Sequence, residues 1–276
     1  MRGNRDAGAV SAAAALEYDD DSCDVVTVDY RFSILAVRRF VDQLSEEQEE
    51  VVRSIGFEGV LYLTRYKKLD RHFSAWLCHQ LELVTAAAAP GASSSAPVPL
   101  FLADATGEKV PVTARDVHEV LCIPNGERQV GLGRNSTEKE SDAAAVRRAL
   151  GLDPGEAPTL QLAEAVIARR RKDAPSPGPM TQPERDAFVV AFLLLLVEHF
   201  LAPGPPVGRR CKVNEEVFHA VANPSEVHLY DWAEYVLEEF RRCAGSVRRQ
   251  VTSRCSKISL SGCLLFLQVA LCCSNL

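Results

Sequence analysis

The stretch Pro183–Ala202, PERDAFVVAFLLLLVEHFLA, decides how the rest of the chain is read, because no other segment is both long and apolar on every side. From Ala187 to Val197 every residue is apolar. On a helix such a run leaves no polar face, so it must be surrounded by protein or by lipid. A membrane span needs roughly 20 apolar residues. This one has Glu184, Arg185 and Asp186 at its start, Glu198 and His199 near its end, and the breaker Pro203-Gly204-Pro205-Pro206 beyond. It reads as a buried central helix over 183–202, with no membrane span. Its start is signalled locally: Thr181 and Glu184 have capping-box spacing, and Pro183 sits in the first turn, where its missing N–H costs nothing.

Outward from that helix, 276 residues at 47% hydrophobic and 25% charged are enough to bury a sizeable core. A formal net charge of −6 argues against a surface that embraces nucleic acid everywhere, while leaving room for a local basic patch. The nine cysteines, Cys23, Cys78, Cys122, Cys211, Cys243, Cys255, Cys263, Cys272 and Cys273, are odd in number and irregular in spacing. They read as reduced, intracellular thiols. Residues 1–23 offer little to bury and read as a disordered leader.

Before the central helix, Val25–Tyr30 suits a short extended piece, and Phe32, Leu35, Val37, Phe40, Val41 and Leu44 recur at helical spacing over about 32–43. Ser45 and Gln48 form a capping box for a helix Glu46–Ser54, and Gly56 and Gly59 permit the turn after it. Asp70 caps a third helix whose Phe73, Trp76, Leu77, Leu81 and Val84 are expected to form one inward stripe. The Ala/Pro/Gly/Ser run at 86–96 reads as a flexible insert, as do the polar residues 131–141 and the Pro-rich 173–180. Val98–Ala103 and Lys109–Val112 flank a turn signal and predict a β-hairpin over 98–112, with Pro99 and Pro111 confining both strands to an edge. Thr113 to Asp116 start a helix running through Leu121. Helices are also expected at 142–150, at Leu160–Arg171 with Leu162, Val166 and Ile167 inward, at Glu215–Ala222, after Asp231, and at Ile258–Leu271. The fold class is mainly α: an irregular multi-helix domain over 24–276 around the helix 183–202, with one short β-hairpin (98–112).

Four segments carry a family resemblance. They are Ser54-Ile55-Gly56-Phe57-Glu58-Gly59, the run from Val110 to Gly126, Tyr230-Asp231-Trp232-Ala233-Glu234-Tyr235-Val236, and Ser259-Leu260-Ser261-Gly262-Cys263. Together they resemble the transposon-derived plant mobile domain group of grasses, often labelled aminotransferase-like and sometimes joined to a ubiquitin-like protease domain. The resemblance spans residues 28–269. It implies a mostly helical domain with no established activity and no catalytic residue to carry over. Residues 270–276 depart from the pattern, which leads to the expectation of a C-terminally truncated product whose last helix packs incompletely.

The aminotransferase label meets little support in the residues. A pyridoxal-phosphate enzyme needs a Schiff-base lysine, a carboxylate for the pyridinium nitrogen and a phosphate cradle in an alternating strand and helix fold. Lys67, Lys68 and Lys172 stand in polar contexts, and Gly131-Leu132-Gly133 lacks the strand and the third glycine of a phosphate loop. Cys78 and His79 are neighbours on a helix, so their side chains diverge by about 100°. Cys243, Cys255 and Cys263 lack the paired spacing of a zinc site. His199 beside Glu198 reads as a helix-end cation, and His118 as solvent-facing. No catalytic residue, metal or cofactor is assigned, and the chain is read as no enzyme.

Two basic clusters remain. Arg169-Arg170-Arg171-Lys172 is either a nuclear import signal or a charged helix end. Arg241, Arg242, Arg248, Arg249, Arg254 and Lys257 place six cations and no acid across 241–257. Seven-residue spacing returns the pairs to nearly one face, yet Glu238 and Glu239 can neutralise the first pair. The segment is either a nucleic-acid surface or a solvated face. The expected function is a noncatalytic interaction module for an unknown protein partner, with nucleic-acid binding through this segment as the alternative. The expected setting is intracellular, the nucleus ahead of the cytoplasm.

Overall fold

A computed structural model of the chain describes residues 26–63, 69–83, 100–103, 108–131, 134–173, 178–204 and 213–273. Strand β1 (Thr27–Tyr30) leads into α1 (Ile34–Val41), where the Ser33 hydroxyl accepts the Ala36 N–H at 3.1 Å. Helix α2 (Glu46–Ser54) opens on the expected box of Ser45 and Gln48, and a 3-10 turn, Glu58–Tyr62, follows it. Asp70 caps α3 (Arg71–Gln80) on the Phe73 N–H at 2.8 Å. Next come β2 (Glu82–Leu83), β3 (Leu100–Ala103), β4 (Lys109–Val112) and α4 (Ala114–Leu121), the last with a Thr113/Asp116 box. Then follow β5 (Arg128–Gln129), α5 (Ser136–Leu150), α6 (Leu160–Ala168) and α7 (Gln182–Leu196). The chain continues through a π-helical turn Val197–Leu201, a 3-10 turn Glu215–Val217, α8 (Phe218–Val221), a 3-10 turn Pro224–Leu229 and β6 (Tyr230–Asp231). It closes with α9 (Trp232–Thr252), β7 (Lys257–Leu260) and α10 (Leu264–Cys273). The fold is mainly α.

The central helix stands where its composition requires. Every residue of α7 from Ala187 to Leu196 is buried, and protein does the covering: α6 lies along it, with α2 and α5 on other sides. Phe192 meets Phe40 of α1 edge-on, ring centroids 5.8 Å apart. At the start, the Glu184 carboxylate accepts both the Thr181 N–H and the Thr181 hydroxyl at 2.8 Å. Beyond Leu196 the ladder loosens to π-type bonding, with the Ala202 N–H reaching the Val197 carbonyl at 3.0 Å, before Pro203 ends the run. No helix among the described residues is long and apolar enough to cross a membrane.

The strand content exceeds one hairpin. Strands β3 and β4 pair antiparallel as expected, and β2 adds to the other side of β3. That makes β3 the middle strand, and only β4, which holds Pro111, is confined to an edge by a proline among the described residues. Two parallel pairs were not expected. Strand β1 runs beside β7, Thr27 opposite Lys257 through Tyr30 opposite Leu260, and β5 beside β6. Residues 258–260, assigned to a helix from sequence, are therefore strand. Ile258 and Leu260 alternate inward around Ser259 with the period of a strand, and Gly262, at φ +81°, turns the chain before α10 begins.

Four further expectations change. Residues 136–141, read as polar linker, are the first turns of α5, because Asn135 accepts the Glu138 N–H at 2.9 Å while Glu138 returns to the Asn135 N–H at 3.1 Å. On α3 the expected stripe holds at Leu77 and Leu81, joined by Ser74, Ala75 and Cys78, whereas Phe73 is partly exposed and stacks at 5.8 Å on Trp76, which is only partly buried against the core, and Val84 lies outside the described residues. Leu264 to Leu267 of α10 are buried, so this part of the last helix is covered rather than exposed. Residues 178–180 are also held, with the Met180 N–H on Glu47 at 2.7 Å and the Gly178 carbonyl accepting from Arg170 at 2.6 Å. The leader expected at 1–23 and the insert at 86–96 lie outside the described residues.

Candidate functional site

Two features along helix α9 invite a functional reading. At its N-terminus three of the four quoted segments meet. The Pro124 carbonyl accepts both the Trp232 and Ala233 N–H groups at 3.1 Å, satisfying first-turn donors that have no partner within the helix. The Gly126 N–H donates to the Tyr230 carbonyl at 3.2 Å, and the Asp231 carboxylate caps the Glu234 N–H at 2.7 Å. With its amide turned to donate, Asn125 reaches Asp231 Oδ1 at 3.0 Å. From the other side Phe57 packs edge-on against Trp232, ring centroids 5.5 Å apart. The backbones approach so closely that only glycine fits. A Cβ at Gly59 would lie 2.0 Å from the Leu121 carbonyl oxygen, and one at Gly126 would lie 2.2 Å from that of Leu229. Burial raises the Asp231 carboxyl above its ordinary range.

One turn further along, α9 presents a half-buried polar cluster to the 3-10 turn 215–217 and to the π-helical turn. The Glu239 carboxylate lies 2.6 Å from Arg242, whose other nitrogen reaches Glu216 at 3.4 Å. Tyr235 accepts from the Asn214 amide at 3.1 Å and is pushed up by burial and by the surrounding carboxylates of Glu239, Glu216 and Glu198. Glu198 is itself buried in the π-helical turn, a local geometry often found at functional sites. Burial pushes the Glu239 carboxyl up to about 7 against the opposing pull of Arg242. The Gly262 N–H, on the Pro203 carbonyl at 3.3 Å, closes over this cluster, with Gly262 against Phe240 and Glu239. This arrangement can take up or release a proton near neutral pH. A small open pocket lined by Gln48, Val166, Arg170, Met180, Glu184 and Phe188 lies elsewhere, beside the Arg170–Glu184 ion pair.

The basic segment divides on inspection. Arg241 is buried against Glu234 at 2.6 Å and Glu238 at 3.0 Å, and Arg242 is taken by Glu239 and Glu216. Arg248 donates to the Leu81 carbonyl at 2.5 Å, and Lys257 pairs with Asp29 at 2.9 Å. Arg249 and Arg254 are exposed. The nearby acids Glu238 and Glu239 were legible as neutralisers, whereas Glu216, Asp29 and the Leu81 carbonyl arrive from distant sequence. In the other cluster Arg170 turns inward to Glu184 at 2.8 Å and Glu47 at 3.8 Å, which leaves Arg169, Arg171 and Lys172 outward.

Of the remaining candidates, His118 stands near the α9 junction, where its charge opposes the rise of the Asp231 carboxyl. His199 is largely enclosed and its imidazole is lowered by burial, so desolvation overrides the helix-end preference for a cation. His118 is exposed, with Nδ1 2.6 Å from the Ile123 carbonyl oxygen. Cys78 is buried and His79 half-buried on the same helix, and no three His, Cys, Asp or Glu side chains gather into a metal-binding group among the described residues.

A family model described as Domain of unknown function (DUF8566) matches residues 102–268, more than half of the chain, and the chain belongs to that family. No curated protein and no solved structure matches it. The matched span contains all of α9 and the partners of its N-terminal junction except Phe57 and Gly59, which reach it from the 3-10 turn.

Proposed function

We propose that this member of the DUF8566 family is a noncatalytic helical interaction module derived from a plant mobile element, and that it works by docking a protein partner. The observation that carries the reading is the exposure of two large hydrophobic side chains on neighbouring elements, Tyr62 at 70% on the 3-10 turn and Leu35 at 48% on α1. Arg38, one turn from Leu35, donates to the Leu61 carbonyl at 3.1 Å, so the two elements share a side of the molecule. Tyrosine and arginine are the residues that dominate binding energy at protein interfaces. Support also comes from three of the four motif segments, which are occupied with each other at the start of α9. The mobile-element origin rests on the resemblance of those segments to the plant mobile domain group. An intracellular setting, with the nucleus ahead of the cytoplasm, is supported by free thiols and by the outward Arg169, Arg171 and Lys172.

Affinity capture from cell extract by the full chain tests this, with and without nuclease and across a salt series. Capture that survives nuclease and salt in the wild type and is lost in Tyr62→Asp supports protein docking, since apolar contacts are nearly insensitive to ionic strength. Capture that nuclease abolishes, or that falls steeply with salt and needs Arg249 and Arg254, overturns it in favour of nucleic-acid binding.

A further inference from the structure

Cys78 on α3 and Cys243 on α9 are 165 residues apart in sequence, and their sulfur atoms are 3.6 Å apart in the folded chain. Both side chains are buried, at 0% and 1% exposure. The Ser261 N–H, from the turn between β7 and α10, points at the Cys243 sulfur at 3.5 Å. We infer that this pair is a site of oxidative modification, closed to a Cys78–Cys243 disulfide by a small hydroperoxide such as hydrogen peroxide.

The two thiols are unequal by construction. The Ser261 N–H reaches the Cys243 sulfur and the two thiols share one S–H···S contact, so negative charge is best held on Cys243, whose thiol is lowered while that of Cys78 is raised. Cys243 is the attacking thiolate. Its sulfur takes one oxygen of the peroxide as the O–O bond breaks, and the second oxygen leaves as hydroxide, which a proton converts to water. Cys78, giving up its S–H proton, then attacks the sulfenyl sulfur. The S–S bond forms, the S–O bond breaks and a second water leaves. Two thiols lose two electrons and one peroxide gains them. Both sulfurs are shielded from bulk solvent, so the expected reaction is slow and is tested with a small oxidant. Cys263 serves as the internal comparison: it is equally buried, but lacks a thiol partner among the described residues, and burial pushes its thiol up to about 12.

The test uses the reduced full chain, treated with hydrogen peroxide under native conditions, blocked with iodoacetamide in denaturant and mapped by non-reducing peptide mass spectrometry. The expected result is a Cys78–Cys243 cross-link, a raised melting temperature that reductant reverses, and Cys263 recovered alkylated. In Cys78→Ser the expected product is a dimedone-trapped sulfenic acid at Cys243. Cross-links from Cys243 to any other cysteine overturn the inference, as does recovery of Cys78 and Cys243 both alkylated after the exposed Cys122 and Cys255 have reacted. The wild-type map alone decides the matter if the variant fails to fold.

Discussion

Glu239 touches Arg242 at 2.6 Å across one turn of α9, and yet its carboxyl is pushed up to about 7. The arginine is shared with Glu216, Glu238 stands next to it in sequence, and burial penalises the carboxylate more than one divided cation favours it. The folded-state value exceeds the unfolded one, so the folded chain binds the proton more tightly. The contribution to stability is complete below about pH 4.5 and is lost as pH rises through about 7. Glu239→Gln should melt higher than wild type at pH 8 and flatten the slope between pH 5 and 8 (about the window of the shift). Equal melting curves at pH 8 would sink this account.

Glu184 has the opposite sign. Hydrogen bonds from Thr181 and the Arg170 guanidinium hold its carboxyl at about 2, below the unfolded value. Its contribution is present above about pH 4.5 and is lost as pH falls towards 2. Acid titration of wild type against Glu184→Gln, followed by circular dichroism, should show the variant already destabilised at neutral pH and less sensitive to acid.

Leu194 is 1% exposed within the central helix. Its truncation to alanine leaves a void that surrounding side chains fill only in part, and should cost about 2–5 kcal/mol. Denaturant unfolding with an unmoved midpoint would count against the packing described.

Gly59 at the junction and Gly151 at the end of α5 should separate by cause. Gly59→Ala drives a methyl group into the Leu121 carbonyl, 2.0 Å away, and should cost about 3 kcal/mol or more. Gly151, at φ +74° with nothing within 4 Å, should cost only the left-handed strain of about 1–2 kcal/mol. If the two alanine variants unfold alike, the close approach at Gly59 is not a constraint.

Local chemistry was legible in the sequence, and distant pairing was not. The central helix announced itself by composition, and Ser45, Thr113 and Asp231 marked helix starts because each cap acts within three residues. The Asn135/Glu138 signal is equally local, but the helix it opens is polar for two turns and so shows no apolar period. Lys257 to Leu260 alternates, but four residues are too few to distinguish strand from helix without the partner strand β1. The motif segments were recognisable as a set, while their convergence at Pro124 and Trp232 was not. The raised Glu239 and the thiol contact depend on neighbours from other helices, and no pattern along one helix contains them.

The pairing of β1 with β7 also sets an order of events during synthesis. Thr27 hydrogen-bonds to Ser256, 229 residues later. At about 5–20 residues per second the ribosome needs on the order of 10–50 s to deliver that partner. Through this interval β1 is an unpaired edge beside apolar residues, which is the kind of surface that chaperones bind and that nascent chains on neighbouring ribosomes can join. The fold therefore closes late, by its two most distant strands, and its yield in a cell depends on what shields the first strand until the last one arrives.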